Sequence, residues 1–188
     1  MSKTIMATTI FFLALFFGCE KKVDPVEHGK YLVTLGGCND CHTPLKEVPG
    51  GLPIPDSTFF LSGHPEKLPY PVWTPEDITK RNSAGLFGLM PTVFAGPWGV
   101  SFASNLTSDV ATGMGEWTEE AFIQALRTGK HQGQPDGRDL LPPMPWINLR
   151  QITDEDLKSM WAYLRTIPQI KNQVPLPVPP SGPTIPGK

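Results

Sequence analysis

Two thiols and an imidazole occupy five consecutive positions, Cys38-Asn39-Asp40-Cys41-His42. Thiols at this spacing can add to the two vinyl groups of a haem, and the adjacent histidine can then reach the iron as an axial ligand. Two other chemistries use paired cysteines. A structural zinc site needs four ligands, and the chain has a single further cysteine, Cys19, while His28, His64 and His131 are scattered without ligand spacing. A redox pair of the thioredoxin type belongs in a βαβ pattern, which the sequence lacks. The reading that remains is one covalently bound haem c, attached to Cys38 and Cys41, with His42 on the iron.

A sixth ligand has to come from Met90, Met114, Met144, Met160 or a histidine. Met160 lies on the apolar side of an amphipathic pattern and reads most simply as core. Met114 sits in the flexible stretch Thr112-Gly113-Met114-Gly115, and Met90 precedes Pro91. Met144 is embedded in Leu141-Pro142-Pro143-Met144-Pro145-Trp146, where prolines stiffen the chain on both sides. A thioether bonds iron weakly, so a rigid backbone lowers the entropy cost of holding it. Rigidity favours Met144; a loop whose methionine merely packs is the alternative.

Three helices must position these groups. Asp24 caps the first, Pro25 opens it and Gly36-Gly37 closes it directly before Cys38. The second is signalled by Thr118-Glu119-Glu120, runs through Phe122, Ala125 and Leu126, and ends near Gly129. In the third, Thr153 caps, residues 154–156 are acidic, and Leu157, Met160, Trp161 and Leu164 follow at i, i+3, i+4 and i+7. Pro168 marks its end. Thr43 to about Gly99 reads as a long irregular stretch, with one short helix after Thr74-Pro75-Glu76-Asp77. Val174 to Lys188 holds six prolines and reads as an extended tail.

The N-terminus carries a targeting pattern. Lys3 precedes an uncharged run, Ile5–Phe17, that suits the apolar region of a signal peptide and is short for a membrane span. Gly18-Cys19 followed by Glu20-Lys21-Lys22 resembles a bacterial lipobox, which implies cleavage before Cys19 and acylation of that cysteine as a membrane anchor. The expected organisation is a signal peptide over 1–18, a tether over 19–24, the domain over 25–173 and the tail over 174–188. Composition agrees with a loop-rich domain: 22 prolines and 18 glycines among 188 residues, and a net charge of -2. Nucleic-acid binders normally carry a basic excess, so that class is excluded.

Taken together, several blocks resemble a bacterial class I c-type cytochrome, in the family that includes cytochrome subunits of periplasmic dehydrogenases. They are Gly29-Lys30-Tyr31-Leu32 with Gly36-Gly37-Cys38 and Cys41-His42-Thr43-Pro44, then Trp98-Gly99 with Asn105-Leu106-Thr107. Gly115-Glu116-Trp117-Thr118 with Leu126-Arg127-Thr128-Gly129, Pro143-Met144-Pro145-Trp146, and the closing helix through Pro168 complete the set. The resemblance covers roughly residues 26–174. It implies an all-α, cytochrome c-like fold of a few short helices around one haem, with His42 and Met144 as axial ligands. Many relatives carry two or three Cys-x-x-Cys-His motifs, whereas this chain has one.

With both axial positions filled by protein, no site is left for a substrate, and outer-sphere electron transfer is the expected function rather than catalysis. His/Met ligation and haem burial both raise the reduction potential. Partners would be redox proteins: a dehydrogenase, a quinol-oxidising complex or a terminal oxidase. The chain would act alone or as a subunit of such a complex. A haem enzyme or sensor with a displaceable Met144 is the rival. Trp98, Trp117, Trp146 and Trp161 are candidate walls of the haem pocket, with ordinary core packing the alternative for each. Asn105 is a candidate to bind a haem propionate or a pocket carbonyl.

Overall fold

The first helix begins where its sequence directs. In the computed structural model, which describes residues 23–70, 86–87 and 91–180, the Asp24 carboxylate accepts hydrogen bonds from the Val26 and Glu27 amides at 2.7 and 3.2 Å. Helix α1 runs Pro25–Leu35 and stops at Gly36. Gly37 takes φ +63°, a left-handed conformation that glycine adopts freely, and turns the chain into the single-turn helix α2, Cys38–His42. Helix α3, Glu119–Thr128, is capped by Thr118, whose hydroxyl accepts from the Ala121 amide at 3.0 Å, and closed by Gly129 at φ +71°. A short α4, Trp146–Leu149, precedes α5, Asp154–Leu164, which Thr153 caps through the Asp156 amide. No helix among the described residues is long and apolar enough to cross a membrane.

These helices close around one apolar core. Val33 from α1, Phe122, Ile123 and Leu126 from α3, and Leu157, Met160, Trp161 and Leu164 from α5 pack together with Leu61, Met114 and Ile167. The main crossing is α1 on α5, and Gly29 permits it: a Cβ at that position would stand 1.8 Å from the Ser159 carbonyl oxygen.

The expectation of an all-α chain needs correction. Two small antiparallel sheets lie in the stretch read as irregular and just past its end: β1 Leu45–Lys46 with β2 Ile54–Pro55, and a three-stranded sheet of β3 Leu86–Phe87, β4 Val93–Gly96 and β5 Gly99–Phe102. The β4–β5 hairpin turns through Pro97-Trp98, with Gly96 paired to Gly99 and Gly99 at φ +93°. Its alternation is visible afterwards in Val93-Phe94-Ala95 and Val100-Ser101-Phe102. Val93, Ala95, Val100 and Phe102 form a second apolar cluster, joined by Tyr70 and Val174, and the period of two sends Phe94 and Ser101 to the opposite face. Tertiary packing on both faces stabilises strands too short to be recognised by length.

The chain after α5 is extended, and as far as Pro180 it is bound to the domain. Val178 and Val100 exchange backbone hydrogen bonds at 2.8 and 2.9 Å, adding a bridge to the edge of β5. Asn172, 4% exposed, donates to the carbonyls of Ser62 and His64 and accepts from the Glu66 amide. Residues 167–178 thus act as a strap over the 61–66 loop, strand β5 and the 105–112 turn. Cys19, Met90, and the short helix expected after Thr74 lie outside the described residues.

Candidate functional site

Cys38 and Cys41 both belong to α2, are half-buried, and form no disulfide. Burial pushes both thiols up, with the neighbouring Asp40 charge adding to the effect. That is the reverse of a nucleophilic redox pair, whose thiolates are stabilised. Among the described residues no group of three or more His, Cys, Asp and Glu converges on a possible metal-ion site.

His42 is held by irregular backbone. Its ring is 7% exposed, and Nδ1 lies 2.7 Å from the Ser104 carbonyl oxygen. A carbonyl only accepts, so Nδ1 must be the protonated nitrogen and Nε2 keeps its lone pair. Burial lowers the His42 pKa and keeps the ring neutral. No described residue hydrogen-bonds to Nε2. The backbone behind the ring is fixed too. The Gly63 amide donates to the His42 carbonyl at 2.8 Å, and the Leu106 amide donates to the Leu61 carbonyl at 2.9 Å. The Thr43 hydroxyl accepts from the Leu61 amide while donating to the Asn39 side chain. Leu61 itself is fully buried at φ +56°, a conformation that costs a non-glycine residue about 1–2 kcal/mol.

Met144 follows the Pro142-Pro143 pair, whose peptide is cis. It is partly buried and packs on the main core cluster, the same cluster that Cys38 touches. Of the other candidates, Met114 and Met160 are 4% and 3% exposed and are members of that core. The Met144 loop is fixed from two sides. On one side the Ser101 hydroxyl donates to the Pro142 carbonyl at 2.6 Å, and the Trp98 indole N–H donates to the Ser101 oxygen at 3.2 Å. On the other, the Trp146 indole covers Gly129, where a Cβ would lie 2.5 Å from the ring, and the Arg150 guanidinium stands over that ring at 6.0 Å from its centroid.

The aromatic candidates therefore have distinct positions. Trp98 and Trp146 brace the Met144 loop. Trp161 is core, tilted against Phe122 at 5.5 Å between centroids, and Trp117 packs on the core with its ring edge-on to His131 at 5.2 Å. The amide of Asn105 is engaged within the protein. It donates to the Ile170 carbonyl and the Thr112 hydroxyl, and accepts from the Thr107 amide and hydroxyl. That network ties the 105–112 turn to the C-terminal strap.

Sequence reasoning missed Ser101 and Ser104. The Ser104 carbonyl leaves no side-chain signal. Ser101 had one, since it is the polar member of an apolar-flanked strand.

A haem c fits this donor set: two unpaired thiols on one turn, a neutral imidazole with a free Nε2, and a thioether on a braced loop beside the same core. Comparison with known proteins points the same way. The chain is 37% identical to the fructose dehydrogenase cytochrome subunit of Gluconobacter japonicus over 93% of its own length and 32% of that protein's. It is 27% identical to the gluconate 2-dehydrogenase cytochrome c subunit of Pantoea cypripedii, over 87% of the chain and 28% of the relative. It is 26% identical to the cytochrome c subunit of the quinone-dependent alcohol dehydrogenase of Gluconobacter oxydans, over 84% and 25%. The chain spans a third or less of the curated relatives it matches. No protein-family model matches it. It is thus similar, over most of its length, to part of the cytochrome subunits of several dehydrogenases.

Proposed function

We propose that this chain is an electron-transfer cytochrome with one haem c, bound through Cys38 and Cys41, and that it accepts electrons from a dehydrogenase as a separate carrier or as its subunit. The observation that carries the reading is the buried His42 ring, whose Nδ1 lies 2.7 Å from the Ser104 carbonyl oxygen and leaves Nε2 available on the same turn as two unpaired thiols. When bound, the haem supplies one-electron exchange. Cys38 and Cys41 would attach it covalently to α2, His42 would supply a nitrogen ligand to its iron, and Met144 would supply a thioether ligand from its proline-stiffened loop. The apolar core beside Met144 and Cys38 excludes water and favours the less charged ferrous state. With His42 and Met144 both on the iron, no position would be left for a substrate, which favours outer-sphere transfer.

The relatives' printed names specify fructose, gluconate and alcohol, three different substrates. What these subunits share with one another is the cytochrome, so the similarity supports the electron-transfer role and leaves the oxidised substrate open. Residues 1–19 support export and a lipid anchor at Cys19.

The test is spectroscopic. Full-length protein matured in a host that attaches haem c should retain haem after denaturing electrophoresis, and Cys38→Ser with Cys41→Ser should abolish that stain. The ferric wild type should show a far-red Met–iron charge-transfer band that Met144→Ala removes, and the ferrous form should not bind carbon monoxide. Carbon monoxide binding by the wild type would instead favour a haem enzyme or sensor.

A further inference from the structure

We propose that Ser101, oriented by Trp98, is the positioning residue for the Met144 loop, so that the β4–β5 hairpin determines how firmly the sixth coordination position is closed. The inference rests on the reading of Met144 as the distal ligand. Pro142, Pro143 and Pro145 have no N–H to donate. The Leu141, Met144 and Pro145 carbonyls accept from amides of the same segment, those of Met144 at 3.3 Å, Trp146 at 2.9 Å and Asn148 at 2.9 Å. The Pro142 carbonyl is bound instead from a distant element. At 2.6 Å, Ser101 Oγ to the Pro142 oxygen is the short contact that binds it, two residues before the methionine.

The hairpin gives this hydroxyl a fixed direction. Ser101 is 6% exposed and sits on the face opposite Val100 and Phe102, paired with Phe94. An indole N–H can only donate, so Trp98, by donating to Ser101 Oγ, leaves the hydroxyl proton to point at Pro142. Trp98 can fold back this far because residue 96 is glycine, where a Cβ would lie 2.3 Å from the indole. The result is a directional relay from the hairpin turn through a strand hydroxyl to the ligand loop.

The experiment titrates imidazole into the ferric full-length holoprotein, and records the Met–iron band, for wild type, Ser101→Ala, Ser101→Thr, Trp98→Phe and Val100→Ala. With Ser101→Ala the Pro142 carbonyl loses its donor. Imidazole should then displace Met144 with about tenfold higher affinity, the factor equivalent to ~1.4 kcal/mol and about the size of one hydrogen bond. Ser101→Thr should restore the wild-type value. Trp98→Phe should shift it in the same direction by less, and it reads the relay even if Ser101→Ala fails to fold. Val100→Ala weakens the hairpin without touching the relay and should lower thermal stability with no change in imidazole affinity. If the wild type shows the band and both Ser101→Ala and Trp98→Phe bind imidazole as the wild type does, the positioning role is overturned. If Val100→Ala raises the affinity as much as Ser101→Ala, the effect belongs to the hairpin's stability and the relay is overturned. A wild type with no Met–iron band refutes Met144 ligation, and the relay with it.

Discussion

Replacing Gly29 with alanine tests whether the α1–α5 crossing organises the domain. The added Cβ would lie 1.8 Å from the Ser159 carbonyl oxygen and 2.9 Å from Tyr163 Cβ, whereas real Cβ contacts essentially never fall below 3.0 Å. The helices must therefore separate by about 1.2 Å at their closest point, or shift by that amount along each other. Because the obstacle is backbone, no rotamer change relieves it. Overpacking of this kind costs about 1–3 kcal/mol and occasionally more, and the rigid contact argues for the upper end. Against it, alanine is favoured over glycine inside a helix by up to about 1 kcal/mol. The net expectation is a loss of about 2 kcal/mol, which for a chain of this size lowers Tm by roughly 4–8 °C. Far-UV circular dichroism during thermal and urea unfolding of the holoprotein measures it, with the urea slope unchanged if the native state stays compact. Lys30→Ala, one position along on the exposed side of α1, should change stability by less than about 0.5 kcal/mol. A Gly29→Ala protein as stable as the wild type would refute the close crossing.

Asn172→Ala should cost about 2–4 kcal/mol in urea unfolding, because it strips partners from the buried Ser62 and His64 carbonyls and the Glu66 amide together. Ending the chain after Pro175 removes the two Val100–Val178 hydrogen bonds and should cost about 2 kcal/mol by the same measurement; an unchanged midpoint would mean the tail is an independent appendage. The hydrogen bond from His28 at 2.6 Å holds the Asp156 carboxyl below the usual carboxylate range. A carboxyl whose folded pKa is depressed stabilises the fold above its unfolded pKa of about 3.9, and that contribution disappears as pH falls through the lower folded value. The Tm difference between wild type and Asp156→Asn should accordingly be largest near neutral pH and shrink below about pH 4.

Much of the helical framework was legible because its signals are local. Asp24, Thr118 and Thr153 each cap a helix through hydrogen bonds that span two or three residues, and the apolar spacing of Leu157, Met160, Trp161 and Leu164 needs only the helical period. The strands were not legible. Two to four residues carry too little pattern to separate a strand from a loop, and β5 gains part of its stability from Val178, which arrives from 78 residues later. The surroundings of the candidate pocket residues were not legible for the same reason. A tryptophan or asparagine in sequence has no declared neighbour, so Trp161 as core, Trp146 as a brace on Gly129, and Asn105 as a crosslink to the strap emerge only when distant chain is brought alongside.

The sequence by itself determined the chemistry that five adjacent residues can carry: Cys38, Cys41 and His42 are bound together by covalent proximity, and nothing distant is needed to place two thiols and an imidazole on one turn. It also marked Met144, since stiffness from flanking prolines is a property of the chain. Only the tertiary structure decided which imidazole nitrogen is free and what holds the Met144 loop. Both depend on hydrogen bonds that span dozens of residues, from Ser104 to His42 and from Ser101 to Pro142. Such contacts exist only once helix packing has fixed the loops against one another.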